Sequence, residues 1–185
     1  SANGLVYGYL RPCGFNSISQ VTNYDHCHND IIVYGMQDGS GFNSQSTSDI
    51  ISFCYSDGFI FCLSHASGFI NSINNNTIIE NCYSKVSQLS LTSANGFCYE
   101  LNSSNISNCY FYGEMLSYSF IDISGFCGIN NSGSIINCYS SFEVGGFVDN
   151  GAGFVLTDNL GTYQCDFWDK QRSGIYDAVF NLNPD

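Results

Sequence analysis

A Gly-Phe pair recurs along this chain at a nearly fixed interval: Gly14-Phe15, Gly41-Phe42, Gly68-Phe69, Gly96-Phe97, Gly125-Phe126 and Gly153-Phe154. The spacings are 27, 27, 28, 29 and 28 residues. A cysteine follows each glycine by 12 to 14 residues, at Cys27, Cys54, Cys82, Cys109, Cys138 and Cys165, so a second landmark keeps the period independently. Self-similarity of this kind marks a repeat architecture in which each unit stacks on its neighbour.

The fullest units, Gly68 to Ser84, Gly96 to Phe111 and Gly125 to Ser140, have short pieces rich in Phe, Ile, Val, Tyr and Cys, broken by clusters such as Asn74-Asn75-Asn76 and Asn131-Ser132-Gly133. No stretch has helical periodicity. Propeller blades need about 40 residues per unit, and a sandwich has no reason to repeat one residue at one interval. In a solenoid, by contrast, like positions lie one above another at about 4.8 Å, so identity at a position is favoured. The expectation is an all-β, right-handed parallel β-helix of about six coils with three short strands each. Coils open near residues 14, 41, 68, 96, 125 and 153 of a repeat domain spanning 1–165, and 166–185 forms a C-terminal cap or docking segment.

Ile51, Ile79, Ile106 and Ile135 precede their cysteines by three residues, so a flat strand would place Ile and Cys on opposite faces. A bend is needed between them. Asn81, Asn108 and Asn137 stand directly before Cys82, Cys109 and Cys138, and Asn tolerates the left-handed conformation while its amide can bond a neighbour above or below. These residues predict an Asn ladder at a corner, with Tyr55, Tyr83, Tyr110 and Tyr139 stacked on the outside.

The run Gly-Phe, an Asn/Gly turn, then Ile-x-Asn-Cys-Tyr-Ser resembles the GLUG repeat of large secreted and cell-surface bacterial proteins, over roughly Gly14 to Trp168. The segment Cys165-Asp166-Phe167-Trp168-Asp169 with Ser173-Gly174 is similar to the stretch that closes such arrays. The chain departs from the pattern in placing Phe rather than Leu after the glycine, and its first coil, Gly14 to Gly41, is imperfect. The resemblance implies a stalk or surface module without an active site.

Composition narrows the partners. With 4 basic against 16 acidic residues and a net charge of -12, the chain repels nucleic acid and anionic lipid. Hydrophobic residues make up 44% and charged ones 11%, which suits a folded single domain. No apolar run reaches the ~18 residues of a spanning helix. The chain opens on Ser1 and enters repeat-like sequence almost at once, the expectation being a processed or excised piece of something longer.

Ten cysteines are present; Cys98 and Cys127 share a second repeat position, and Cys13 and Cys62 have no aligned partner. Stacked thiols acting as small buried hydrophobes are one reading. Disulfides, with Cys13 and Cys62 the leading candidates, are the other. His26 and His28 bracket Cys27; on one strand their imidazoles would share a face, which makes them the best metal candidates, but no third ligand can be placed beside them and the expectation is surface histidines with no metal. Arg11, Lys85, Lys170 and Arg172 are scattered, and Asp149, Asp158, Asp166 and Asp169 gather near the C-terminus as solvated cap residues or a weak calcium site. Four sequons, at Asn75, Asn102, Asn105 and Asn130, fall along one edge and would carry glycans on a secretory route.

No catalytic constellation and no cofactor are expected. The leading expectation is an extracellular or cell-surface structural or adhesive protein, a fibre or stalk subunit docking on copies of itself end to end or on a neighbouring domain. The alternative is a module binding glycan or a host surface through exposed aromatic ladders. A polysaccharide-degrading β-helix enzyme and an ice-binding surface rank lower, the latter because the threonines do not align.

Overall fold

The computed structural model describes residues 2–117 and 121–182. One coil shows the plan. Strands Ile70–Asn74, Ile78–Glu80, Tyr83–Ser90 and Ser93–Asn95 follow in turn, and Cys98–Asn102 then lies parallel beside Ile70–Asn74. Repetition of this circuit builds four parallel sheets of seven, seven, six and five strands, a β-solenoid.

Each complete coil therefore has four strands, where the sequence predicted three. The extra strand is the short one before each Gly-Phe pair, as in His65–Ser67 and Ser93–Asn95. In those two coils its Ser, Ala, His and Asn residues lack the β-branched and aromatic signal by which strands are read from sequence, although Ile121–Ser124 and Val148–Ala152 in the same sheet carry Ile and Val. The rungs above and below supply its pairing.

The Gly-Phe landmark has a steric cause. A Cβ built on Gly41, Gly68, Gly96 or Gly125 would sit 2.0, 2.0, 1.8 or 2.0 Å from the carbonyl oxygen of the glycine one rung on. The backbones meet too closely there for any side chain. Behind each glycine the phenylalanine turns inward and stacks, with ring centroids 5.0, 4.8, 4.8, 4.9 and 4.9 Å apart along Phe15, Phe42, Phe69, Phe97, Phe126 and Phe154. Ile51, Ile79, Ile106 and Ile135 fill a second fully inward column. Side chains of the long strands tie the layers together: Asn29 Nδ2, Ser56 Oγ and Ser140 Oγ donate to the carbonyls of Gly41, Gly68 and Gly153 at 2.7, 2.7 and 2.9 Å.

The predicted corner is present. Asn81, Asn108 and Asn137 take φ of 55°, 52° and 54°, in a column that also holds His26 and Phe53. The bend places both Ile and Cys inward on either side of it.

The N-terminal rung starts where the repeat-like sequence does, whereas the C-terminal segment differs from expectation. The first strand, Ala2–Leu10, pairs in parallel with His28–Gln37, so the solenoid is under way before Gly14. Residues 166–182 are a further partial rung rather than a separate cap. Phe167–Trp168 extends one seven-stranded sheet and Val179–Leu182 the other. Between them a short helix, Lys170–Ser173, is capped by Asp169, whose side chain accepts from the Gln171 and Arg172 amides. Residues 183–185 of the expected cap lie outside the described residues.

Candidate functional surfaces

Outside the long sheet the tyrosines form the column expected of them. Ring centroids are 4.8 Å apart for His28 and Tyr55, 4.7 Å for Tyr55 and Tyr83, and 4.9 Å for Tyr83 and Tyr110, with planes within 10° of parallel. Tyr139 and then Phe167 continue the register. Partial burial, reinforced by the flanking Tyr110 and Tyr55, holds the Tyr83 phenol above its usual pKa. Burial raises the Tyr110 phenol as well, and the column is an apolar stripe edged with hydroxyls.

A buried thiol ladder runs behind the corner. The amides of Cys27, Cys54 and Cys82 donate to the sulfur one rung on, at 3.3, 3.4 and 3.4 Å. The thiols of Cys54, Cys82, Cys109 and Cys138 point to carbonyls two residues back, at 3.1, 3.2, 3.1 and 3.3 Å. Burial pushes the Cys98 and Cys109 thiols well up, which makes them poor nucleophiles. All ten cysteines are separate thiols, Cys13 and Cys62 included.

Cys165 does not belong to the ladder. Ile135 and Ile136 pair with Tyr163 and Gln164, so Cys165 falls in the corner column, exposed and with φ of 56°, and Asp166 takes the cysteine place. The Cys138 amide donates to Asp166 Oδ1 at 2.7 Å where a sulfur would otherwise accept. It was misassigned because it stands 12 residues after its glycine, whereas the ladder place, 13 or 14 residues on in the other coils, falls here on Asp166.

The Asn ladder at the corner is thin, with one bond from Asn137 Nδ2 to Asn108 Oδ1 at 3.3 Å. A better one, missed from sequence, closes the Gly-Phe strands. Asn102, Asn131 and Asn159 each donate through Nδ2 to the Oδ1 of Asn74, Asn102 and Asn131, at 2.8, 2.8 and 2.7 Å. The spacings of 28, 29 and 28 residues were the signal available.

Several expectations about chemistry change. His26 and His28 do not share a strand: His26 sits in the left-handed corner, 2.9 Å from Asp25 and stacked on Phe53, while His28 opens the next strand on Tyr55. Among the described residues no group of three His, Cys, Asp or Glu is gathered as a metal site. Of the sequons, Asn130 is fully buried, with bonds to Gly133 and the Tyr163 hydroxyl, so it is closed to a glycan in the folded chain. Asn102 is engaged in its ladder, whereas Asn75 and Asn105 are exposed. Of the C-terminal carboxylates Asp149 is exposed, and the other three are individually occupied. Asp158 accepts from Gly161 and Tyr163, Asp166 from Cys138 and Gln164, and Asp169 caps the helix. Arg172 lies 3.9 Å over the Tyr112 ring and 3.1 Å from Glu143.

The two ends of the stack are unlike its middle. At the N-terminal end Phe15 is 38% exposed, beside Ile18 at 59% and Val21 at 76%. At the other end Ala178 occupies the phenylalanine register, accepting the Phe154 amide at 3.0 Å. Beside it lies a mainly apolar cavity of about 230 Å³ lined by Phe154, Tyr163, Trp168, Ala178 and Val179, with the Asp166 carboxyl at its wall.

No protein-family model, curated protein or solved structure matches the chain.

Proposed function

We propose that the chain is a structural element of an extracellular fibre or cell-surface stalk, joined end to end through its terminal rungs, with no catalytic role. The observation that carries this reading is the pair of unfinished ends. Parallel strands at each end offer backbone groups on their outer edge, which template the addition of another strand. Around those edges lie Phe15, Ile18 and Val21 at one end and the apolar cavity at the other. The surfaces differ, so the joint is heterologous, and a heterologous contact that does not close on itself gives a filament. The GLUG-like repeat fits this reading, and Asn75 and Asn105 are then the positions for glycans on a secreted chain.

Electron microscopy of the purified chain tests it. Filaments with an axial repeat of six or so rungs, on the order of 30 Å, are expected; discrete short rods at all concentrations would refute the assembly. A second reading rests on the tyrosine column, whose flat rings could hold a glycan or a host surface. It predicts that Tyr83→Ala and Tyr110→Ala abolish such binding while the stack remains folded.

A further inference from the structure

A second concave surface lies on a different sheet from the tyrosines and owes nothing to the ends. Ser44, Asn71 and Tyr99 occupy one position on three successive rungs, and Gln45, Ser72 and Glu100 occupy the next. Opposite them stand Arg11, Asp38 and His65, and together with Asn74 these residues line a groove of about 270 Å³. That is just below the ~300 Å³ at which sites for drug-sized ligands begin, and suits one or two sugar rings.

The groove is built rather than incidental. Asp38 Oδ1 and Ser64 Oγ meet His65 Nδ1 at 3.0 and 3.1 Å, and the imidazole lies 4.2 Å from the Tyr99 ring at an interplanar angle of 19°. Arg11 spans the cleft, with Nη1 donating to Gln45 Oε1 at 2.9 Å and Nε 3.8 Å from Asp38 Oδ2. Ser44, 1% exposed, has a hydroxyl with no hydrogen-bond partner among the described residues, although it lines the groove. A buried hydroxyl left unpaired is unfavourable unless something else completes it.

We infer that this groove is a saccharide-binding site that takes an uncharged mono- or disaccharide unit. Its polar groups are mainly hydroxyls and amides, which match sugar hydroxyls as both donors and acceptors. The His65-Tyr99 pair supplies an aromatic wall for the apolar side of a pyranose. One arginine against Asp38 and Glu100 leaves the groove net negative on a chain of net charge -12, so uronates and phosphates are repelled. The Ser44 hydroxyl gains its missing partner from the sugar.

Calorimetric titration of the full chain with cellobiose, N,N'-diacetylchitobiose and digalacturonate tests the assignment, with circular dichroism to check each variant's fold. The expected result is saturable binding of at least one neutral disaccharide, with a Kd of about 0.1–1 mM, and none of digalacturonate. Tyr99→Leu, Glu100→Gln and Ser44→Ala should each weaken it roughly tenfold, a change of about 1.4 kcal/mol, and Tyr83→Ala should leave it unchanged. If Tyr99→Leu does not fold, Glu100→Gln and Ser44→Ala still decide. Absence of neutral-sugar binding, tighter binding of digalacturonate, or affinity that survives the groove variants and is lost in Tyr83→Ala would each overturn the site. None of these outcomes depends on whether the chain forms filaments.

Discussion

The central rungs and the terminal rungs share one backbone path but differ in what fills its columns. Between Gly68 and Ser140 each column holds nearly the same residue: Gly against Gly, Phe on Phe, Asn in the left-handed corner, Cys behind it, Tyr outside. On the first full rung the same columns hold a half-open Phe15, His26 for Asn and His28 for Tyr, while the other left-handed corner, Ser48, Ser103 and Ser132 further on, holds Val21 at φ 52°. On the last they hold Cys165, Asp166 and Ala178, and the second corner holds Leu160 at φ 66°. In a stack whose stability is a sum of units and nearest-neighbour contacts, the central columns carry the fold and the ends are free to vary.

The largest expected separation between the two regions comes from the phenylalanine column. Phe97→Ala removes a ring packed between two others and should cost about 3–5 kcal/mol in chemical denaturation. Phe15→Ala, with one face already open, should cost less than about half of that; equal losses would mean the first rung is as tightly held as the middle. Next comes the missed Asn ladder. Asn102→Ala breaks the bonds to both Asn74 and Asn131 and should destabilise by about 1–2 kcal/mol.

A third substitution works in the opposite direction. Val21 is β-branched, exposed and left-handed, a conformation that costs such a residue roughly 1–2 kcal/mol. Val21→Asn should therefore raise the melting temperature, whereas Asn108→Val in the middle should lower it. The smallest effect is one of pH. Burial raises the Asp166 carboxyl above its usual value despite the two amides that lower it. The folded chain then binds more protons than the unfolded one between the two pKa values, so stability increases as pH falls through that window. Asp166→Asn should flatten this slope in a pH series of denaturation curves.

Much of this was legible in the sequence because the rung geometry forbids alternatives. Gly96 must be glycine where its Cβ would strike the Gly125 carbonyl, and Asn108 sits where a left-handed residue is required. Such positions repeat visibly. The fourth strand was not legible because in His65–Ser67 and Ser93–Asn95 its residues carry little strand propensity of their own, so no shared signal repeats at that position. Cys165 was misplaced because a cysteine one residue short of the ladder place was taken for the landmark, when the place itself is held by Asp166. The groove escaped notice for a different reason. Arg11, Asp38 and His65 are unlike residues brought together only by coiling, and a search for identity at a fixed period passes over them.

The glycine contacts carry a consequence for how such a molecule can change. Because each glycine meets the carbonyl of its counterpart one rung away, copying a whole circuit into the gene would recreate that backbone junction. Loss of a circuit would be healed in the same way. Length thus varies in steps of about 4.8 Å, inherited as a count of duplicated segments, and a lineage could lengthen or shorten its rod without redesigning a single contact in the interior.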